Sequence, residues 1–168
     1  MNTSKQWIQV SLVSMVILLG ASLVGAATTY VWTGANSGNW SDGGNWTNGV
    51  APTSTSSNDT VWLTSSGTPP SNQDITGLFI LKLIFNTNSV NYTVGGKPIT
   101  LDNILCYDDN TTARTNTLNC DVIMALNNIV WAFPQRSLLL INGTVGEING
   151  SKKISANGIG TSGYKDIL

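Results

Sequence analysis

The chain reads as all-β, and three observations say so. Short runs of β-branched and aromatic residues recur every 8 to 12 residues with turn residues between them. Apolar triplets such as Leu138-Leu139-Leu140 break the in-out alternation of a half-exposed sheet, as strands of a parallel sheet do. Asn-Gly pairs return at Asn142-Gly143, Asn149-Gly150 and Asn157-Gly158, spaced evenly enough for stacked turns. Together these favour a short parallel β-solenoid. A β-sandwich is the alternative architecture, and no strict period of about 20 residues is visible.

The elements follow in order. Residues 1–26 have the form of a secretory signal peptide: Lys5 gives a basic start, Leu12 to Leu19 an apolar run, and Val24-Gly25-Ala26 a small-residue cleavage pattern. Cleavage is expected after Ala26 or Ala27. The apolar stretch from Ile8 to Val24 is interrupted by Gln9, Ser11, Ser14, Gly20 and Ser22. It falls short of the roughly 20 apolar residues of a membrane span, so no span is expected after cleavage. The secreted or surface-exposed part is then 168 less 26, or 142 residues, enough for one core.

Residues 27–70 form a Trp-, Gly- and Asn-rich opening. Tyr30-Val31-Trp32 is a strand candidate, and Asn39-Trp40-Ser41-Asp42-Gly43 is answered by Asn45-Trp46-Thr47-Asn48-Gly49, each copy ending in a tight turn. Asp59 to Leu63 is the next strand. Residues 71–168 are the expected rungs. Their strand candidates are Leu78 to Phe85, Tyr92 to Val94, Ile99 to Leu101, Leu118 to Met124, Ile129 to Phe133 and Leu138 to Ile141. Asp121 to Asn127 competes as a helix but is too short to form one alone.

Composition excludes several functions. There is no histidine, so His-dependent triads, His-ligated metals and pH switching near neutrality are ruled out. Charged residues make up 10% and the net charge is −1, leaving no basic patch for nucleic acid. Glu147 is the single glutamate and the aspartates are scattered, a poor basis for paired-carboxylate catalysis. No catalytic residue, cofactor or metal site is assigned. Asp108-Asp109-Asn110 lacks the alternating acids of a calcium loop and reads as a solvated turn. Cys106 and Cys120 could close a loop of about 15 residues worth roughly 3 kcal/mol, or stay buried as thiols; spacing does not decide between these.

The tryptophans carry two readings. Trp40 and Trp46 suit a sugar-stacking platform, with Asn39, Asp42 and Asn45 bonding hydroxyls. Alternatively, Trp32, Trp40, Trp46 and Trp62 are packing material that closes one end of the solenoid.

Val31-Trp32-Thr33-Gly34, Gly38-Asn39-Trp40-Ser41-Asp42, Asn45-Trp46 and Val50-Ala51-Pro52-Thr53 carry a resemblance, followed by Asp59 to Trp62, Leu83 to Asn86, Tyr92 to Gly96 and Leu138 to Gly143. The series resembles the N-terminal part of bacterial surface proteins with autotransporter-associated β-strand repeats. The resemblance implies a right-handed parallel β-helix passenger, exported and serving adhesion or matrix roles. Such proteins are much longer, so a truncated product or solitary leading module is the expectation. An uncapped last rung would expose strand edges, so self-association through that end is expected unless the final segment covers it. The function expected is a non-catalytic structural or adhesive surface module. A module binding extracellular glycans through exposed tryptophans is the alternative, and a fragment of a polysaccharide-active enzyme the weaker one.

Overall fold

The computed structural model describes residues 26–53, 58–64, 67–86, 90–107, 114–125, 128–134, 137–148, 150–151 and 153–159. Residues 1–25, on which the signal-peptide expectation rests, and Asp108-Asp109-Asn110, expected as a solvated turn, lie outside them. Twelve strands run through the described residues: Thr29–Val31 (β1), Thr60–Leu63 (β2), Asn72–Gln73 (β3), Phe79–Asn86 (β4), Thr93–Gly96 (β5), Ile99–Tyr107 (β6), Arg114–Leu118 (β7), Val122–Met124 (β8), Asn128–Pro134 (β9), Ser137–Ile141 (β10), Val145–Glu147 (β11) and Lys153–Ile159 (β12). Every pairing between them is parallel. Among the described residues no helix is long and apolar enough to cross a membrane.

The strands fall into two sheets, and the chain passes between them repeatedly. One has the order β10-β7-β5-β3; the other runs β1-β2-β4-β6-β8-β11, with β9 joined to β6 and β12 to β9. The larger sheet is bent. In β4 the buried Ile80 and Leu83 lie three residues apart, and in β6 so do Leu101 and Ile104. In a flat strand residues three apart face opposite sides, so the backbone turns a corner at Leu81-Lys82 and at Asp102-Asn103. Before that corner, β6 pairs with β8 through Ile99, Thr100 and Leu101; beyond it, Leu105 pairs with Ala132 of β9. Three stacks of parallel strands result, one from the smaller sheet and two from the limbs of the larger.

A repeat hidden in the sequence emerges from the register. Arg114 lies opposite Ser137 and Val122 opposite Val145, a spacing of 23 residues that the Thr144-to-Asp121 hydrogen bond also spans. Thr93 lies opposite Thr117, one residue more. The spacing wanders enough between stacks to erase a strict period in the sequence.

The core lies between the stacks. Val61, Leu63, Leu83, Phe85, Ile104 and Cys106 come from one limb, Leu78, Ile80, Ile99, Leu101, Val122 and Met124 from the other, and Tyr92, Val94, Leu118 and Leu139 from the smaller sheet side. Burying each large apolar side chain contributes about 1.5–3 kcal/mol. Three sequence readings need correction. Asn157-Gly158 is not a turn: it lies within β12, opposite Ala132 and Phe133. Leu138-Leu139-Leu140 is not packed on both faces: Leu139 is buried, while Leu138 is exposed. The stretch Leu118 to Met124 is not one strand; it breaks at Asn119-Cys120-Asp121 into β7 and β8. Within it, Val122–Met124 is a strand rather than a helix start, because parallel partners on both sides, Ile99–Leu101 and Val145–Glu147, override local preference.

Candidate functional site: the indole-capped end and the amide column

At the β1 end the segment between β1 and β2 folds back over the core. Trp46 is its centre. Its ring stands edge-on to Trp32, Trp40 and Tyr30, with centroids 4.9, 5.9 and 6.2 Å away. Such edge-to-face pairs add about 0.5–1.5 kcal/mol each beyond burial. The indole N–H groups are used internally: Trp46 Nε1 donates to the Trp40 carbonyl at 2.8 Å and Trp32 Nε1 to that of Thr68 at 2.8 Å. Trp40 Nε1 reaches the Pro70 carbonyl at 3.5 Å.

The polar residues of the repeat tie this cap together. The Asn45 side chain is fully buried; its Oδ1 accepts from the backbone N–H groups of Asn36 and Ser37, both at 2.9 Å. Its Nδ2 donates to Ser37 Oγ and to the Asn39 carbonyl. Asp42 caps the 3-10 turn Gly43–Asn45 by accepting from Gly44 N–H, and it also receives the Asn36 amide and the Ser37 hydroxyl.

These contacts overturn the sugar-stacking platform. Trp40 is 0% and Trp46 2% exposed, so neither offers a ring face. Asn45 has spent its hydrogen-bonding capacity inside the cap. The end-closing reading describes Trp32, Trp40 and Trp46, whereas Trp62 sits in β2 on the face away from Val61 and Leu63, apart from the ring cluster.

Asn39, the one member of that set with an exposed side chain, belongs to a second arrangement. It pairs in parallel with Asn72, and Asn72 Nδ2 donates to Asn39 Oδ1 at 2.9 Å. Asn72 lies opposite Gly95, and pairing of Val94 with Leu118 brings Gly95 beside Asn119. Asn142 follows, its Nδ2 donating to Asn119 Oδ1 at 2.8 Å. A column Asn39, Asn72, Gly95, Asn119, Asn142 therefore climbs the exit corner of the smaller sheet. Asn72 and Gly95 lie within β3 and β5, Asn119 and Asn142 one residue past β7 and β10, and Asn39 is bridged to β3 from outside the strands. The later residue donates to the earlier in both bonded pairs. Sequence reasoning missed this column, because 33 and 23 residues separate the bonded partners and only the register aligns them.

Inside the fold, Cys106 and Cys120 are free, buried thiols. Burial pushes Cys106 up to about 12, with the Asn116 side chain working against it, and Cys120 up to about 11. Neither is a thiolate near neutrality, so neither serves as a nucleophile there. Near the cap, burial works to raise the Asp74 carboxyl, but the Ser41 hydroxyl and backbone N–H hold it below the usual carboxylate value. Among the described residues no cluster of three or more Cys, Asp or Glu could hold a metal ion. Comparison of the chain with protein families, with curated proteins and with solved structures finds no match.

Proposed function

We propose that this chain is an exported, non-catalytic structural module, the capped leading part of a right-handed parallel β-helix displayed on or released from the cell surface with an adhesive role. The observation that carries this reading is the asymmetry of the stack. The β1 end is closed by three interlocked indoles and a buried asparagine, while among the described residues β10, β11 and β12 are the last strands at the other. A closed first rung followed by repeated parallel passes suits a fold that grows in one direction. The hand follows from the near-universal right-handedness of parallel crossover connections. Export rests on the basic, apolar and small-residue segments before Ala27. The resemblance to passengers with autotransporter-associated repeats points the same way.

Leu138, Val145 and Ile148 are exposed apolar side chains on or beside these last strands, consistent with self-association there. The deciding experiment expresses the full chain with an epitope tag after Leu168 and fractionates cells and medium. The expected result is a surface or medium product beginning at Ala27 or Thr28 by N-terminal sequencing. An uncleaved product confined to the cytoplasm would overturn the proposal.

A further inference from the structure

Gly95 interrupts the amide column, and the backbone gives no reason for a glycine there. Its neighbour Gly96 shows what such a reason looks like: φ is +107°, and a Cβ would run into the Gln73 carbonyl. At Gly95, by contrast, φ is not in the left-handed region. A Cβ would meet Asn119 Cβ at 3.8 Å and the Ser71 carbonyl at 3.9 Å, ordinary contact distances. A glycine within a strand often marks a bulge, a tight bend, or a place where a ligand or another backbone approaches closely.

The groups flanking Gly95 indicate its chemistry. Asn72 commits Nδ2 to Asn39, which leaves Oδ1 as an acceptor; this atom leans toward the glycine pair, 2.8 Å from where a Gly96 Cβ would sit. Asn119 commits Oδ1 to Asn142, which leaves Nδ2 as a donor. Parallel strands stand about 4.8 Å apart, so acceptor and donor face each other across one missing side chain. One planar amide fits between them, its N–H toward Asn72 and its C=O toward Asn119. The surroundings are hydroxyl- and amide-bearing, with Thr93 and Thr117 two residues before Gly95 and Asn119 on the same face, neither of them aromatic.

We propose that this break binds the acetamido group of an N-acetylated sugar, the methyl resting over Gly95. The site is separate from the buried indoles, and it stands or falls independently of where the protein resides.

The test titrates N,N′-diacetylchitobiose into the 15N-labelled full chain, with cellobiose as the sugar lacking acetamido groups. Saturable shifts of the Asn72 and Asn119 side-chain amide resonances are expected with the first sugar and not with the second. Two variants sharpen it. Gly95→Asn fills the gap with the protein's own amide. Asn119→Asp removes the donor while keeping an acceptor for Asn142. Each should weaken binding by roughly tenfold or more, the loss of one to two hydrogen bonds. Equal shifts with cellobiose, no shifts with either sugar, or undiminished binding in both variants would overturn the proposal.

Discussion

Asn45 shows how much a single side chain holds at the capped end. It satisfies two backbone N–H groups, a hydroxyl and a carbonyl without any exposure of its own. Replacing it with alanine strands those groups in a part-buried loop. Asn45→Ala should cost about 2–4 kcal/mol, read as a lowered urea midpoint, and should weaken the near-ultraviolet circular dichroism of the packed indoles. The thiols give a second prediction. With Cys106 and Cys120 both free and buried, a maleimide should label neither in the folded protein and both in guanidinium without reductant; an unlabelled denatured chain would reveal a disulfide. Their raised values also fix a sign. The unfolded thiols lose protons from about pH 9 while the folded ones hold them to about 11 and 12. Stability from this source is complete below pH 9 and declines as pH rises from there toward 12. The raised Tyr30 and Tyr92 hydroxyls add to the decline above pH 10.

At the scale of elements, the two adjacent glycines of β5 make opposite predictions. Gly96→Asn introduces a Cβ against the Gln73 carbonyl at a φ that side chains avoid, and should cost about 2 kcal/mol or more. Gly95→Asn meets no such obstacle, continues the amide column, and should stabilise by about 1 kcal/mol. Thermal melts of the two variants beside the parent check both signs. The strands were legible where apolar residues clustered: Phe79–Asn86, Ser137–Ile141 and Thr60–Leu63 sit within a residue or two of where the pattern puts them. Asn72–Gln73, Val145–Glu147 and Lys153–Ile159 were not, because each has at most two large apolar residues among polar or small ones and is held extended by parallel neighbours. The second half of β6 was hidden by Asp102 and Asn103, which mark its corner rather than its end.

At the scale of the molecule, composition made the all-β class legible and the registers account for the parallel sheets. The candidate site was legible only in part. The Trp-Asn repeat stood out in the sequence, but rings that suit a sugar equally suit a lid, and only burial separates the two uses. The amide column was invisible because its members are joined by strand register alone. Gln73 illustrates how successive rungs are fastened: fully buried, it donates to the Lys97 and Pro98 carbonyls of the following rung and accepts from Ile75 N–H in its own.

The uneven spacing between stacks has a consequence for how such a chain can be edited. In the smaller sheet Asn72 faces Gly95, Thr93 faces Thr117 and Arg114 faces Ser137, offsets that differ by one residue at most. On the far limb Leu83 faces Ile104 but Leu105 faces Ala132, six residues further along than that register. Extra residues therefore enter at two places, the indole-bearing segment that separates Asn39 from Asn72 by 33 residues and the stretch between β8 and β9. From Asn72 onward the asparagine-bearing corner keeps a spacing of 23 or 24. The stretch between β8 and β9 is thus where a foreign segment could be spliced in without shifting the register from Asn72 to Asn142.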